Sequence, residues 1–248
     1  MNVLITGANG FIGKNLVSKL STMNVVLSFF TRADNFDDLE HKINNCNLII
    51  HLAGVNRPLN ELDYNNGNVK LTEFICDILI KNNITVPVIY TSSIQAEFDN
   101  PYGKSKKKSE IVLRKLAENN KNNVINYRLP NVFGKWCKPN YNSAVATFCY
   151  NLHNGIPIVI HDKDALVNLV SVSDVVEEFV DIIYKVKENA LSNSGFEDIT
   201  IANVTSITVG DIVDLLNEFR SSTFSAEDLS PFERKLFTTY LSYAEVEL

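Results

Sequence analysis

The chain has 248 residues, 45% of them apolar, and a formal net charge of −6 at neutral pH. That length can bury a sizeable core and is most naturally one domain, while the acidic balance argues against a nucleic-acid surface. No apolar run approaches the roughly 20 residues a membrane helix needs, and Met1 to Thr6 lacks the basic start of a signal peptide, so a cytoplasmic location is expected.

The first half alternates apolar runs with helix-like stretches. Val3–Thr6 is expected as a strand, Gly13–Ser21 as a helix, Val25–Thr31 as a second strand and Phe36–Asn44 as a helix. Asn47–Ala53 follows as a third strand, Val69–Asn82 as an amphipathic helix and Pro87–Ser92 as a fourth strand. Ser105–Glu118 is expected as a helix and Val124–Arg128 as a further strand. Short strands separated by helices of ten or more residues imply parallel βαβ units, hence an α/β fold with a Rossmann-type, doubly wound parallel sheet. After Asn131 the rhythm loosens. Asn142–Leu152, Ser173–Lys187 and Val209–Phe219 look helical, Ile156–Ile160 strand-like, and Asn189–Gly195 a loop. The expectation is a single 1–248 domain, with 1–130 mainly a dinucleotide-binding core and 131–248 mainly a small C-terminal substrate-binding lobe.

Three features carry chemistry. Thr6-Gly7-Ala-Asn9-Gly10-Phe11-Ile12-Gly13 follows a strand and opens a helix, the context in which glycines admit a pyrophosphate to free helix N–H groups. The second strand ends at Arg32 with no carboxylate at its tip. Arg32 can pair with a 2′-phosphate, which favours NADPH over NADH, although Asp34 lies close enough to turn in. Tyr102 and Lys106 are four residues apart, so both fall on one face of a helix's first turn, where an ammonium favours the phenolate. Of the basic run Lys104 to Lys108, only Lys106 is read as more than solvated surface. The four histidines are scattered and the four cysteines lack CxxC spacing, so no metal site and no disulfide framework is expected. His51 reads as a satisfied core histidine and the cysteines as reduced thiols.

The glycine spacing, the strand Asn47-Leu-Ile-Ile-His-Leu52-Ala53-Gly54, Ser93 and the Tyr102/Lys106 pair together resemble the extended short-chain dehydrogenase/reductase family of sugar-nucleotide epimerases, dehydratases and reductases. The resemblance implies that Tyr102 is the general acid/base, that Lys106 holds the nicotinamide ribose and that Ser93, rather than Ser92, bonds the reacting oxygen. It also implies cofactor contacts from the glycine turn, Leu52, Ala53, Gly54, Asn68 and Pro130, and a sugar-nucleotide contact from Asn131. Family members often dimerise, which would make Ser105–Glu118 an interface. Ile94-Gln95 stands where dehydratases of the family carry an acidic pair, so dehydration is not expected. Tyr102 follows Ser93 by only nine positions, a connection shorter than in the epimerases.

His51-Leu-Ala-Gly-Val-Asn-Arg57-Pro58, Ser92-Ser-Ile-Gln-Ala96 and Phe133-Gly-Lys135-Trp136-Cys-Lys138-Pro-Asn-Tyr-Asn142-Ser143 look more narrowly like the capsular-polysaccharide reductases of the L-fucosamine pathway. This resemblance implies NADPH-dependent reduction of the C4 ketone of a UDP-linked 2-acetamido-2,6-dideoxyhexose, with Lys138, Asn142 and Ser143 on the substrate side. Arg57 and Trp136 are each balanced between a ligand contact and plain packing or surface. In that group a metal-binding cupin domain with epimerase activity normally follows. The chain ends at Leu248, where a cupin would begin, and the expectation is a truncated enzyme, a cupin partner encoded separately, or a stand-alone reductase. The competing expectations are an NAD-dependent sugar-nucleotide 4-epimerase and a non-catalytic nucleotide-binding scaffold.

Overall fold

The structure is a computed structural model that describes residues 1–58, 60–191, 194–221 and 227–244. Its elements run β1 (Asn2–Thr6), α1 (Phe11–Leu20), β2 (Val26–Phe30), α2 (Phe36–Asn44), β3 (Leu48–His51), α3 (Leu62–Tyr64), a π-helical turn (Asn65–Lys70), α4 (Leu71–Lys81) and β4 (Val88–Ser93). A 3₁₀ turn (Ile94–Glu97) leads to α5 (Pro101–Asn120), β5 (Asn123–Leu129), β6 (Asn131–Phe133), α6 (Ala144–His153), β7 (Leu166–Ser171), α7 (Val172–Lys187), β8 (Gly195–Ile199), β9 (Thr205–Thr208), α8 (Val209–Ser221) and α9 (Pro231–Leu241). These fall into two units, Met1–Leu129 with Val176–Ile201, and Pro130–Val175 with the described part of Ala202–Leu248.

The first unit is built on a six-stranded sheet in the order β2-β1-β3-β4-β5-β8, every pair parallel. Strand residues alternate between two covered faces, so both sets are apolar. Leu4, Ile49, Val88, Tyr90 and Val124 pack under α2, α4 and α5 through Leu39, Ile43, Ile75, Leu79, Leu113 and Leu116. On the other face Tyr127 meets Phe179 of α7 edge-on at 5.3 Å, and Lys19 of α1 pairs with Glu177 at 2.6 Å. Helices on both faces of a parallel sheet bear out the doubly wound α/β expectation. The order reverses between β1 and β3, and in open α/β sheets ligands bind outside the carboxyl ends of the strands at such a switch point.

In the second unit β7 pairs with β6 in parallel and with β9 antiparallel. Its core gathers Phe133, Phe148, Cys149, Leu169, Leu216, Phe219, Leu236 and Tyr240.

Several boundaries differ from the sequence expectation. Ile156–Ile160 forms no regular element and pairs with no strand among the described residues; Pro157 has no N–H to offer a ladder, and only Ile158 and Ile160 reach the core. The helix expected from Ser105 starts at Pro101, because Asn100 caps it by accepting from the Gly103 amide at 2.8 Å and proline suits the first turn. Gly195, expected in a loop, opens β8; residues 192–193 of that loop lie outside the described residues. β6, β7, β9 and α9 have no counterpart in the sequence reading. For α9 the signal was present, as Ser230-Pro-Phe-Glu233 forms a capping box.

Candidate active site

The glycine turn sits at the carboxyl end of β1, against the segment that leaves β3. A Cβ on Gly7, whose φ is +74°, would lie 2.6 Å from the Ala53 nitrogen, and one on Gly13 would lie 2.2 Å from the Gly7 carbonyl. Both contacts are to backbone, so only glycine lets the two loops and the helix close up. Leu52 donates its amide to the Thr6 carbonyl and Ala53 donates to Thr6 Oγ1, at 3.1 Å each. The end of α1 is left open. Its N-cap Gly10 has no side chain to cap with, and no acidic residue stands in the first turn. The amides of Phe11, Ile12 and Gly13 therefore have no intrahelical acceptor and face the partial positive end of the helix. Asn9 and Gly10 are exposed beside them. This cradle fits a dinucleotide pyrophosphate.

At the tip of β2, Arg32 is exposed. Asp34 does not turn outward. Its Oδ2 accepts from the Thr31 amide and hydroxyl, both at 2.8 Å, and its Oδ1 pairs with Lys42. Those bonds, with Lys42 first, bring its pKa down to about 2.

Ser92 and Ser93 end β4 on opposite faces. Ser92 is buried and donates to Glu110 Oε1 at 2.6 Å, whereas Ser93 is half-buried and among the described residues its hydroxyl only accepts the Gln95 amide at 3.2 Å. Ser93 is thus the serine with a hydrogen still to give. Four of the residues between Ser93 and Tyr102 are wound into the 3₁₀ turn Ile94–Glu97, which presses on the first turn of α5. A Cβ on Gly103 would stand 2.0 Å from the Gln95 carbonyl. Tyr102, the second residue of α5, is half-buried with the Tyr64 ring centred 6.0 Å away.

Lys106 lies one turn further on and is buried, while Lys104, Lys107 and Lys108 are exposed. Its Nζ donates to the Thr91 carbonyl at 2.8 Å, sits 4.8 Å over the Tyr90 ring and 6.0 Å from the Tyr102 ring. Burial lowers its pKa to about 8, against an upward pull from Glu110. A Cβ on Gly54 would fall 3.1 Å from Asn68 Oδ1 and 3.3 Å from Lys106 Nζ, so the Gly54 backbone, Asn68 and the ammonium converge. Asn68, in the π-helical turn, is held by Val55 through both amide atoms, at 2.7 and 3.0 Å, and donates to Ser105 Oγ at 2.8 Å. Such turns often mark functional positions.

Sequence reasoning missed a second layer beneath this group. Glu110, buried, is gripped by Arg128 through Nε at 2.9 Å and Nη2 at 2.7 Å, and Asn126 adds a bond at 3.3 Å. Burial raises the carboxyl's pKa, but Arg128, Ser92 and Asn126 more than offset it and leave it lowered. The i, i+4 spacing from Lys106 to Glu110 and the arginine opening Arg128-Leu-Pro-Asn131 were the available signals.

The expected substrate residues belong to the second unit. Pro130 precedes β6, and Asn131 is the exposed first residue of that strand. Lys138 and Asn142 are exposed, and Ser143 caps α6 by accepting from the Ala146 amide at 3.3 Å. Trp136 is exposed at a φ of 69°, with Lys135 Nζ 5.1 Å over its ring; Lys138 Nζ lies 5.7 Å over Tyr141. Arg57, in the first unit, is exposed. All four cysteines are free, and Cys46, Cys76 and Cys149 are buried. Among the described residues no three His, Cys, Asp or Glu side chains are grouped to hold a metal, and no helix is long and apolar enough to cross a membrane.

A parallel sheet with a glycine-turn cradle at its switch point and a Tyr/Lys pair beside it defines a dinucleotide-binding fold, and the chain belongs to the NAD dependent epimerase/dehydratase family, whose model matches residues 3–194. Within that family it is 43% identical, over 247 residues, to the UDP-2-acetamido-2,6-beta-L-arabino-hexul-4-ose reductase of Pseudomonas aeruginosa, covering 98% of this chain and 65% of that protein. The solved structure of the capsular polysaccharide assembling protein CapF of Staphylococcus aureus superposes with a TM-score of 0.82 at 42% identity, over 98% of this chain and 66% of that one. The chain thus spans about two thirds of the length of these relatives. A UDP-glucuronic acid 4-epimerase from Bacillus cereus shares the fold, with a TM-score of 0.81 at 17% identity and 98% of each chain covered. Family and narrower resemblance read from the sequence are both borne out.

Proposed function

We propose that the chain reduces the C4 ketone of a UDP-linked 2-acetamido-2,6-dideoxyhexose with NADPH, for a capsule or O-antigen precursor. The observation that carries this is the buried Lys106 ammonium 6.0 Å from the Tyr102 ring, in a chain 43% identical to a UDP-sugar 4-ketose reductase. The first unit is the dinucleotide-binding part and the second supplies the substrate lobe, with Asn131, Lys138, Asn142 and Ser143 on the sugar-nucleotide side. The amides of Phe11, Ile12 and Gly13 hold the pyrophosphate, with Gly7, Asn9 and Gly10 lining the turn. Leu52, Ala53, Gly54 and Asn68 line the groove toward the nicotinamide end.

When bound, NADPH supplies the hydride that C4 of the sugar accepts. The carbonyl π pair moves onto O4, and Tyr102 gives O4 its phenolic proton. Ser93 donates a hydrogen bond to the same oxygen as its charge grows. Lys106 steadies the resulting tyrosinate until solvent returns the proton. Arg32 takes the 2′-phosphate; Asp34 is occupied by Lys42 and Thr31 and does not meet a ribose hydroxyl, which supports NADPH over NADH. A homodimer built on α4 and α5 is supported by the half-exposed Ile80 and Ile111, and a separate cupin epimerase and a cytoplasmic location belong to the same proposal.

Purified protein given NADPH and the UDP-linked 4-keto sugar should oxidise NADPH stoichiometrically, and Tyr102→Phe should lower kcat by about 10²- to 10⁴-fold while NADPH still binds. Interconversion of UDP-sugar epimers without net NADPH loss would show a 4-epimerase instead. Unchanged turnover in Tyr102→Phe would remove the proton-donor role.

A further inference from the structure

His51 lies at the end of β3, is 1% exposed, and touches none of the groups given a chemical role above. Both its ring nitrogens are nevertheless bonded, Nδ1 to Thr6 Oγ1 at 2.7 Å and Nε2 to Thr72 Oγ1 at 3.0 Å. The proton positions follow from the outer partners. Thr72 Oγ1 lies 2.7 Å from the Asn68 carbonyl, which can only accept, so the Thr72 hydrogen points there. Thr72 must then accept from His51, and the imidazole proton is on Nε2. Nδ1 is left as an acceptor for the Thr6 hydroxyl, whose oxygen accepts the Ala53 amide at 3.1 Å. Each hydrogen is used once, and the line runs one way from Ala53 N–H to Asn68 C=O. Thr6, Thr72 and Asn68 are each 0–1% exposed, so the two bonds of the ring and the Thr72 bond to Asn68 are closed to water.

The two ends of this line matter. Ala53 leads into Gly54, where an added Cβ would lie 3.3 Å from Lys106 Nζ and 3.1 Å from Asn68 Oδ1, so the Gly54 backbone adjoins both groups. Beyond Asn68 the bonding continues to Ser105 Oγ at 2.8 Å and from there to the Tyr102 carbonyl at 2.7 Å. A core position needing only volume is filled more cheaply by an apolar side chain, because every buried polar group has to recover its desolvation through bonds. An imidazole bonded at both nitrogens instead fixes a distance and a direction between the two loops it joins.

Resting on the reductase function proposed above, we infer that His51 is a positioning residue: as the Nε2–H tautomer it holds the Ala53–Gly54 backbone and Asn68 in register around Lys106, and so sets the nicotinamide end of the groove. Burial, with the Lys106 charge nearby, pushes its pKa down to about 3, which keeps the ring in the neutral form the line requires.

The cleanest probe is Thr72, which has no part in the chemistry. Thr72→Val removes the hydroxyl at nearly constant volume, and Thr72→Ser keeps it. Thr72→Val should raise the Kd for NADPH about tenfold and lower kcat, with the KM for the sugar nucleotide little changed, and Thr72→Ser should restore both. Two readouts need neither cofactor nor substrate. The ¹⁵N resonances of His51 in the wild-type protein should place the ring proton on Nε2, and the ¹³Cε resonance of Lys106 should move in Thr72→Val and return in Thr72→Ser. A proton on Nδ1, an unmoved Lys106 resonance, or a serine variant as impaired as the valine one would each overturn the assignment. If the wild type binds neither NADPH nor NADH, the reductase function fails, while the two resonance measurements still decide the role of His51.

Discussion

Lys106→Met should make the unliganded protein more stable while abolishing its turnover. The ammonium is 4% exposed, and burial takes its pKa from 10.5 to about 8 in spite of the upward pull of Glu110. At 1.36 kcal/mol per pH unit, that gap is a penalty of about 3 kcal/mol for keeping the charge inside the fold. Below pH 8 folded and unfolded chains both hold the proton, and the penalty is fully present. Between about pH 8 and pH 10.5 the folded protein has released a proton that the unfolded chain keeps, so the penalty fades as the pH rises. Methionine has no charge to desolvate, covers the Tyr90 ring with a similar stem, and gives up only the bond to the Thr91 carbonyl, worth about 1 kcal/mol. The expected gain near neutral pH is therefore about 2 kcal/mol, shrinking to about zero near pH 9.5. Urea unfolding of both proteins at the two pH values measures this, and other titrating groups cancel in the difference. A variant less stable than wild type at neutral pH, or a gain that does not change with pH, would refute the electrostatic account of this lysine.

Arg128→Met leaves the Glu110 carboxylate buried without its two guanidinium bonds and should cost about 3 kcal/mol in a denaturant titration. Because the native Glu110 pKa is lowered, the stability it contributes is present above the ordinary carboxylate pKa and lost as the pH falls through the native one. The deficit of the variant should therefore narrow in acid. Gly103→Ala drives a Cβ to 2.0 Å from the Gln95 carbonyl; thermal melts should show a loss of about 2 kcal/mol, and turnover should fall because the first turn of α5 carries Tyr102. Arg32→Ser should weaken NADPH about 10- to 100-fold and leave NADH unchanged, measured by the fluorescence of the bound reduced cofactor.

Much of the first unit was legible because its signals are local. A glycine turn between an apolar strand and an amphipathic helix, a tyrosine and a lysine one helical turn apart, and strands separated by helices of regular length all follow from backbone sterics and side-chain periodicity. These features were enough for the parallel sheet and the family. They were not enough for β7, for the short β6 and β9, or for Ile156–Ile160, whose strand-like pattern finds no pairing partner among the described residues. A strand needs a neighbour, and which neighbour is available is not written in the segment itself.

The sequence by itself determined the four-residue spacing of Tyr102 and Lys106 behind a glycine turn, which sets both on one face of any helix that includes them. Only the tertiary structure decided what surrounds them. Burial between Tyr90 and the Thr91 carbonyl makes Lys106 a desolvated ammonium rather than a surface one. The same packing occupies Ser92 with Glu110, ties Asp34 to Lys42, and sets His51 between two threonines from distant segments. Each of these depends on groups 8 to 45 residues apart in the chain being brought within hydrogen-bond reach, and the sheet and its covering helices, not the local sequence, do that.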